Sequence, residues 1–311
     1  NNALNRELAE IPEARKSTAP IDTAEAAKVL AQYLADVVQK GLENVQDNGG
    51  GIEAQIQLAN QIINTIQTTT EEADFAALGV DQRAEQLLAL LQQNDPRLAT
   101  GKSAKDLDRP ETSIAQSSLF TGAIHEPQMY TELKKEIVSA DRIDMLVSFI
   151  KWSGLRLIMD ELQQFAQSGG ELRIITTSYM GATDVKAIEE LRALSNTKIK
   201  VSYDTKRTRL HAKTYVFYRD TGFTTAYVGS SNLSNAAISS GLEWNVKVTR
   251  KDLPETIEKI AATFESYWNS SEFEYYDEGQ RERLTRALKA EKYSETDHSG
   301  IYTLDILPYS Y

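Results

Sequence analysis

Residues 211–243 carry a histidine, a lysine, an amide and a carboxylate at spacings that suit chemistry on a phosphate ester. His211 and Lys213 open the run His-Ala-Lys-Thr-Tyr-Val-Phe, whose β-branched and aromatic residues predict a buried strand. Because alternate residues of a strand share a face, the two side chains are expected to lie side by side. Gly-Ser-Ser-Asn follows at residues 229–232, and Glu243 opens the next predicted strand. Such a set can attack phosphorus, hold its oxygens and orient the attacking ring without a metal.

The pattern His-x-Lys, Gly-Ser-x-Asn and Glu resembles the active-site signature of the phospholipase D superfamily, most of all its nuclease branch. The resemblance extends over about residues 112–270 and includes segments 118–122, 147–155 and 176–184. These segments are similar to the phospholipase D-like domain that precedes a DEAD/DEAH-type helicase in some bacterial proteins. The final residues, 304–311, resemble the lead-in to such a helicase core. The full motif of the superfamily has Asp five residues after the Lys, whereas this chain has Tyr218 there and Asp220 two residues later.

The resemblance implies a metal-independent phosphodiesterase that acts on DNA through a phosphohistidine. His211 would be the nucleophile, and Lys213 would hold a non-bridging phosphate oxygen. Each also has a simpler interpretation, a histidine satisfied within a strand and an edge-strand lysine that faces solvent. A lysine within a Tyr-Val-Phe strand is costly to bury without a partner, which favours a pocket.

The amide and the carboxylate complete the predicted site. Asn232 would donate its amide to the phosphate, and Ser230, Ser231 and their backbone amides would add phosphate-binding donors where a short helix begins. Glu243 would accept a hydrogen bond from the second ring nitrogen of His211 and fix its orientation. The alternatives are an ordinary turn, in which Gly, Ser and Asn are common, and a surface carboxylate.

A single copy of the motif has a consequence for assembly. One histidine must attack while another protonates the leaving oxygen, yet His125 and His298 do not begin a His-x-Lys strand. We therefore expect a homodimer in which two His211–Lys213 pairs meet across a two-fold axis. The alternative is a monomeric binding domain with half a site.

Charge is distributed unevenly. The 34 basic and 45 acidic residues give a net charge of −11, which argues against a general nucleic-acid coat. Residues 198–213 nevertheless hold six basic residues and one acidic residue. Within this cluster Lys206, Arg207 and Arg209 are predicted to contact nucleic-acid phosphates, and the alternative is a solvated loop.

Other features exclude several classes of function. The chain has no cysteine, so neither a disulfide nor a thiol nucleophile is possible, and no metal-ligand spacing occurs. No Walker-type loop is present, so this chain is not expected to hydrolyse ATP. No apolar run approaches the ~20 residues that span a bilayer, and no signal peptide is visible, so we expect a cytoplasmic protein with no membrane partner. Since the chain begins with Asn1 rather than Met, we expect it to be part of a longer protein.

Periodicity divides the chain into four parts. Apolar residues at helical spacing predict a helical N-terminal module over residues 1–93, with helices near 22–46, 52–66 and 84–91 after an irregular start. This module is predicted to mediate interaction or dimerisation. Residues 94–112 are predicted to be a linker and residues 113–275 the phospholipase D-like domain. Residues 276–311 are predicted to form a C-terminal surface helix near 281–292, followed by the lead-in to a helicase core.

The third part alternates between strands and helices, which predicts an α/β fold with a mixed sheet covered by helices on both faces. The predicted strands are 143–150, 171–177, 198–203, 212–218, 224–228 and 242–249. The predicted helices are 127–140, 154–167, 184–194 and 254–268.

Three functions compete at this point. The first is a DNA phosphodiesterase delivered by a helicase motor in the same polypeptide. The second is a binding module that grips nucleic acid without turnover, which the Tyr218 departure keeps open. The third is a lipid phosphodiesterase, which ranks last because no membrane-facing helix or second motif copy supports it.

Overall fold

The computed structural model describes residues 1–85, 96–99, 101, 103, 105, 108–123, 126–204, 210–234 and 243–298. The chain forms two compact units, Asn1–Leu88 and Ala89–Tyr311.

The first unit is helical. It contains α1 (Asn2–Ala9), α2 (Ala26–Asp47) and α3 (Ile52–Thr70), with 3-10 turns at Glu13–Arg15 and Ala73–Leu78. The predictions for α2 and α3 agree with the structure, and Gly50 separates them where any Cβ would lie only 2.6 Å from the Val45 side chain. The expectation of an irregular start is wrong for α1, because Asn1 accepts a hydrogen bond from Leu4 and caps the helix. Most of the predicted third helix lies outside the described residues.

The second unit is built on a sheet in the order β1-β7-β6-β5-β2-β3-β4-β8. Strands β2, β3 and β4 pair in parallel, and the other pairs are antiparallel. The strands are β1 (Ser118–Phe120), β2 (Arg142–Val147), β3 (Glu171–Thr177), β4 (Thr197–Ser202), β5 (Lys213–Tyr218), β6 (Thr225–Gly229), β7 (Asn245–Thr249) and β8 (Phe273–Tyr275).

Helices cover both faces of this sheet, as predicted. The helices of the second unit are α4 (Pro96–Ala99), α5 (Met129–Ser139), α6 (Trp152–Leu155), α7 (Met159–Gln167), α8 (Val185–Arg192), α9 (Pro254–Trp268) and α10 (Arg281–His298), with 3-10 turns at Tyr179–Gly181 and Glu278–Gln280. One face packs on α5, α7, α8 and α10 in the main core. The other face packs on α9 through two smaller clusters.

The differences from the predicted elements are local. β1 and β8 were not predicted, since three-residue edge strands carry too little alternation to be recognised. The helix predicted at 154–167 is divided into α6 and α7, because Leu157 and Ile158 donate to carbonyls only three residues back. The C-terminal helix is partly buried, with Leu284 and Leu288 in the main core. No helix within the described ranges combines the length and apolar character needed to cross a membrane.

Candidate active site

The predicted site residues meet because six strand ends lie at one end of the sheet. Strands β2, β3 and β4 end there, β5 begins, β6 ends and β7 begins. The register places Val147 opposite Lys213, and Gly229 opposite Asn245. Ligand sites of sheets with parallel strands form at the carboxyl ends of those strands, and this end has that character.

His211 and Lys213 are in direct contact. The Lys213 Nζ lies 3.0 Å from His211 Nδ1 and 3.1 Å from Nε2. This confirms that the two side chains share a face, although β5 begins at Lys213 and His211 precedes it. Partial burial, and then the charge of Lys213, lower the pKa of His211. A lowered pKa favours the neutral form of the ring, which is the form that can act as a nucleophile.

Lys213 is buried, with 6% of its surface exposed. Burial lowers its pKa, and the negative charge of Glu243 partly opposes that effect. No carboxylate in the described part of the chain lies within salt-bridge distance of the ammonium. An anion bound at this point would supply the missing partner.

Asn232 is buried beside the end of β2. Its Oδ1 accepts a hydrogen bond from the backbone N–H of Phe149 at 3.3 Å. Because an N–H must face the oxygen, this contact fixes the amide orientation and directs the Asn232 nitrogen elsewhere as a donor. The next residue, Leu233, accepts from the Lys151 N–H at 2.8 Å, which ties the turn to the β2 end.

The two serines of the turn hold it against β7. Ser231 accepts a hydrogen bond from the Asn245 side-chain nitrogen at 2.7 Å, and Ser230 accepts one from the Trp244 backbone at 3.2 Å. Both predicted phosphate-binding hydroxyls thus have structural contacts. Gly229 permits this approach, since a Cβ there would lie 2.2 Å from the Trp244 carbonyl oxygen.

Glu243 lies within electrostatic reach of Lys213 and Tyr215, whose pKa values both respond to its charge. Within the described residues no hydrogen bond joins Glu243 to His211. Its predicted role in orienting the ring therefore stays a prediction.

Tyr218 and Asp220 lie at the opposite end of β5 from Lys213. Five residue steps at ~3.3 Å each place Tyr218 about 17 Å along the strand from Lys213. The Tyr218 ring lies under the Arg142 guanidinium at 3.8 Å, and Asp220 is exposed with its N–H on Asp141. At this distance neither side chain contacts His211, and the effect of the departure from the superfamily motif on activity stays a prediction.

Some predicted features cannot be placed. Lys206, Arg207 and Arg209 lie outside the described residues. Within the described ranges, no three histidine or carboxylate side chains are grouped so that they could hold a metal ion.

Three supporting residues were missed by sequence reasoning. The Tyr215 hydroxyl donates to the Ser231 carbonyl at 3.0 Å, and Asn245 holds the Ser231 side chain. Both lie two residues from a predicted site residue on the same strand face, and that period of two was the available signal. Gly154 is the third, because a Cβ there would meet the Ser234 backbone at 2.5 Å.

Residues 133–268 match the family model described as "Cardiolipin synthase, PLD-like domain". By this similarity, residues 133–268 are termed the phospholipase D-like (PLD-like) domain. The match supports the predicted superfamily for this part of the chain, and all four predicted catalytic residues fall within the matched residues. The link to a helicase stays a prediction.

Other comparisons are more distant. No curated protein sequence matches the chain. Among solved structures, the chain is similar to NucT from Helicobacter pylori, with 22% identity and a TM-score of 0.39 over 49% of this chain and 94% of that one. It is also similar to Nuc from Salmonella typhimurium, described as a phospholipase D family member, with 22% identity and a TM-score of 0.40 over 52% of this chain and 99% of that one. Phosphatidylserine synthase from Haemophilus influenzae Rd KW20 gives 11% identity and a TM-score of 0.38 over 59% and 46% of the two chains.

Proposed function

We propose that the PLD-like domain is a metal-independent phosphodiesterase that cleaves DNA through a phosphohistidine on His211. The observation that carries the proposal is the contact of the His211 ring with the buried Lys213 ammonium at the end of the sheet. The neutral ring can attack phosphorus, and the ammonium can pair with the negative charge of a phosphate ester. Among the described residues no carboxylate lies within salt-bridge distance to compete for that ammonium.

The reaction has two balanced steps. In the first, a ring nitrogen of His211 forms a bond to phosphorus, and the bond from phosphorus to the leaving oxygen breaks while that oxygen takes a proton. In the second, water forms a bond to phosphorus, the nitrogen–phosphorus bond breaks, and the proton of the water leaves with a general base. Lys213 and the Asn232 amide would hold the non-bridging oxygens in both steps.

A second histidine is needed as the proton donor, and we assign this role to His211 of the partner subunit in a homodimer. One histidine must then be neutral and the other protonated. The rate should accordingly depend on pH with a bell shape that belongs to the pair.

The nucleic-acid substrate is supported by the basic sequence at 198–213, which leads directly into the site. A C-terminal DEAD/DEAH-type helicase domain in the same polypeptide would deliver DNA to this domain. The alternative is a catalytically weak nucleic-acid-binding module that targets the helicase. It is favoured by one observation, that within the described residues no hydrogen bond joins Glu243 to the His211 ring.

The test is cleavage of single- and double-stranded DNA in excess EDTA by the wild type and His211→Ala, purified identically. We expect cleavage that survives EDTA and is reduced at least about 10³-fold in the variant, by analogy with loss of other covalent nucleophiles. Asp220→Asn is the matched control, because it changes an exposed residue at the far end of β5 and should leave the rate unchanged. Acid-labile, alkali-stable labelling of the wild type by ³²P-DNA would identify the phosphohistidine.

Three outcomes oppose the proposal. Equal cleavage by His211→Ala would indicate a contaminating nuclease. Loss of wild-type cleavage in EDTA would overturn metal independence. Salt-sensitive DNA binding without cleavage would favour the binding module.

A further inference from the structure

A cleft of about 570 Å³ opens beside His211 on the α9 side of the sheet. The described residues that line it come from the segment before β5, from the end of α9 and from the approach to β8, and they include His211, Tyr267, Ser270, Glu272 and Phe273. Its volume lies within the range of about 300–1,000 Å³ that is typical of small-molecule sites. A group covalently attached to a phosphate at His211 would be placed to enter it.

The aromatic residues of the lining favour a flat group. Tyr267 is partly exposed, at 37%, and its ring packs against Phe273 with centroids 5.8 Å apart. One aromatic ring of the cleft is thus packed against a second, and part of its surface is exposed.

The polar groups of the cleft are held in place and add hydrogen-bond acceptors. The Glu272 N–H donates to Ser270 Oγ at 3.3 Å, and Ser202 Oγ donates to Glu272 Oε1 at 3.2 Å. A carboxylate fixed at the edge of an aromatic surface is suited to accept hydrogen bonds from an exocyclic amino group, as Glu does from cytosine.

We infer that this cleft binds the nucleobase next to the scissile phosphate, with Tyr267 as the stacking surface and Glu272 as the acceptor for an amino-bearing base. The inference rests on the proposed function and specifies its substrate. Stacking of a base on an aromatic side chain does not depend on base identity, and Glu272 adds the preference for cytosine, adenine or guanine over thymine.

The test compares small diesters that share one leaving group. These are deoxycytidine and thymidine 5′- and 3′-(p-nitrophenyl) phosphates, with methyl p-nitrophenyl phosphate as the base-free reference and p-nitrophenylphosphorylcholine as a cationic one. We expect the wild type to cleave a nucleoside ester with a kcat/KM at least about tenfold above that of the methyl ester, from the usual contribution of stacking. The deoxycytidine ester should exceed its thymidine counterpart by a similar factor.

The variants separate stacking from hydrogen bonding. Tyr267→Ala should lower the kcat/KM of both nucleoside esters to about that of the methyl ester, whereas Tyr267→Phe should keep their advantage. Glu272→Gln should reduce only the preference for deoxycytidine, because a neutral amide oxygen is a weaker acceptor than a carboxylate. Equal melting temperatures of the variants would show that loss of the Tyr267–Phe273 contact had not unfolded the domain.

Each remaining outcome has a distinct meaning. Cleavage of the methyl ester at the same efficiency as the nucleoside esters, unchanged in Tyr267→Ala, would overturn this inference while the proposed activity stands. Preference for the choline ester, lost in Tyr267→Ala and Glu272→Gln, would overturn it in favour of a cationic headgroup. No cleavage of any ester or of DNA by the wild type would overturn the proposed function as well.

Discussion

Two lysines on the same face of one sheet have opposite surroundings. Lys213 begins β5 at the site, and Lys247 lies in β7, in a row with Tyr227 and Tyr215 across the strands. Both are buried, Lys213 to 6% exposure and Lys247 to 0%. Because Lys213 and Lys247 are the same residue type, on one face and at similar depth, the groups that surround them can be compared directly.

Lys247 belongs to a closed ionic cluster. Its Nζ lies 2.9 Å from Glu136 Oε1 and 4.0 Å from Glu132 Oε2, and it donates to Thr112 Oγ1 at 2.9 Å. Glu136 also accepts hydrogen bonds from Arg219 and from Tyr227. With two carboxylates and two cations, the cluster is neutral, and it ties α5 to β6 and β7.

Lys213 has a neutral imidazole where Lys247 has carboxylates. A buried cation without a paired anion costs free energy, and such a residue in a pocket is a sign of function rather than of stability. The comparison indicates that the ionic cluster around Lys247 stabilises the domain. Lys213 has no carboxylate within salt-bridge distance among the described residues, and a bound phosphate would pair with it. Four predictions test that division.

The largest effect is expected for Lys213→Met. Loss of a cation that stabilises the transition state should lower kcat/KM for DNA or methyl p-nitrophenyl phosphate by about 10²–10³-fold. Stability should be unchanged or slightly raised, because a buried charge with no carboxylate partner is replaced by an apolar chain of similar size. Removing the charge should also raise the pKa of His211, so the acid limb of the kcat/KM profile should move to higher pH.

The control is Lys198→Met, the same substitution in β4 at a surface ion pair with Glu171. It should leave kcat/KM unaltered. If Lys213→Met lost no more activity than Lys198→Met, or lost it only through unfolding, the role of Lys213 would be structural, like that of Lys247.

The second prediction concerns stability, whereas the first concerned activity. Lys247→Met should lower the free energy of unfolding by about 3–5 kcal/mol, because Glu132 and Glu136 would remain buried with one cation fewer. Urea unfolding followed by tryptophan fluorescence measures it, since all three tryptophans, Trp152, Trp244 and Trp268, lie in the second unit. Lys198→Met should cost at most about 1 kcal/mol. An equal, small loss in both variants would show that the cluster is not a stabilising one.

The third prediction concerns acid. Burial alone would raise the pKa of Glu136, but the charges of Arg219 and Lys247 lower it to about 2. A carboxyl group with a depressed folded pKa contributes stability that is present above its unfolded pKa, near 4.5, and is lost as pH falls through 2. The unfolding free energy should therefore fall between about pH 4.5 and 2, by on the order of 3 kcal/mol from this group.

Glu136→Gln should flatten that part of the pH profile and destabilise the domain at pH 7. The matched control is Glu274→Gln, since Glu274 pairs with Arg283 on the surface and also has a lowered pKa. The unfolding free energy of Glu274→Gln should depend on pH nearly as steeply as that of the wild type. If the two substitutions changed the slope equally, surface carboxylates rather than the buried cluster would control acid unfolding.

The same comparison explains how much of the fold and of the site could be predicted from the sequence. Strand β3 and helix α9 have the predicted bounds because long alternation and a proline at the first helical turn are local signals. The His211–Lys213 contact also follows from a local period of two. By contrast, the partners of Lys247 lie on α5 and near Thr112, far away in sequence. From the sequence alone, Tyr267 is interpreted as one of the apolar residues on a face of α9. Such neighbours are set by sheet order and packing, which no short window of sequence contains.

The smallest effect is expected at the far end of β5, where Tyr218→Asp would restore the aspartate of the superfamily motif. Because Tyr218 is about 17 Å along the strand from Lys213, kcat/KM should change by less than about twofold. The new carboxylate would face the Arg142 guanidinium that now lies over the ring, so the loss of packing and the new ion pair should offset each other to within about 1 kcal/mol. Tyr218→Phe serves as the control because it keeps the ring. A large gain in kcat/KM with Asp but not with Phe would mean that this position reaches the site after all, and the boundary between the scaffold and the catalytic end of the sheet would have to move along β5.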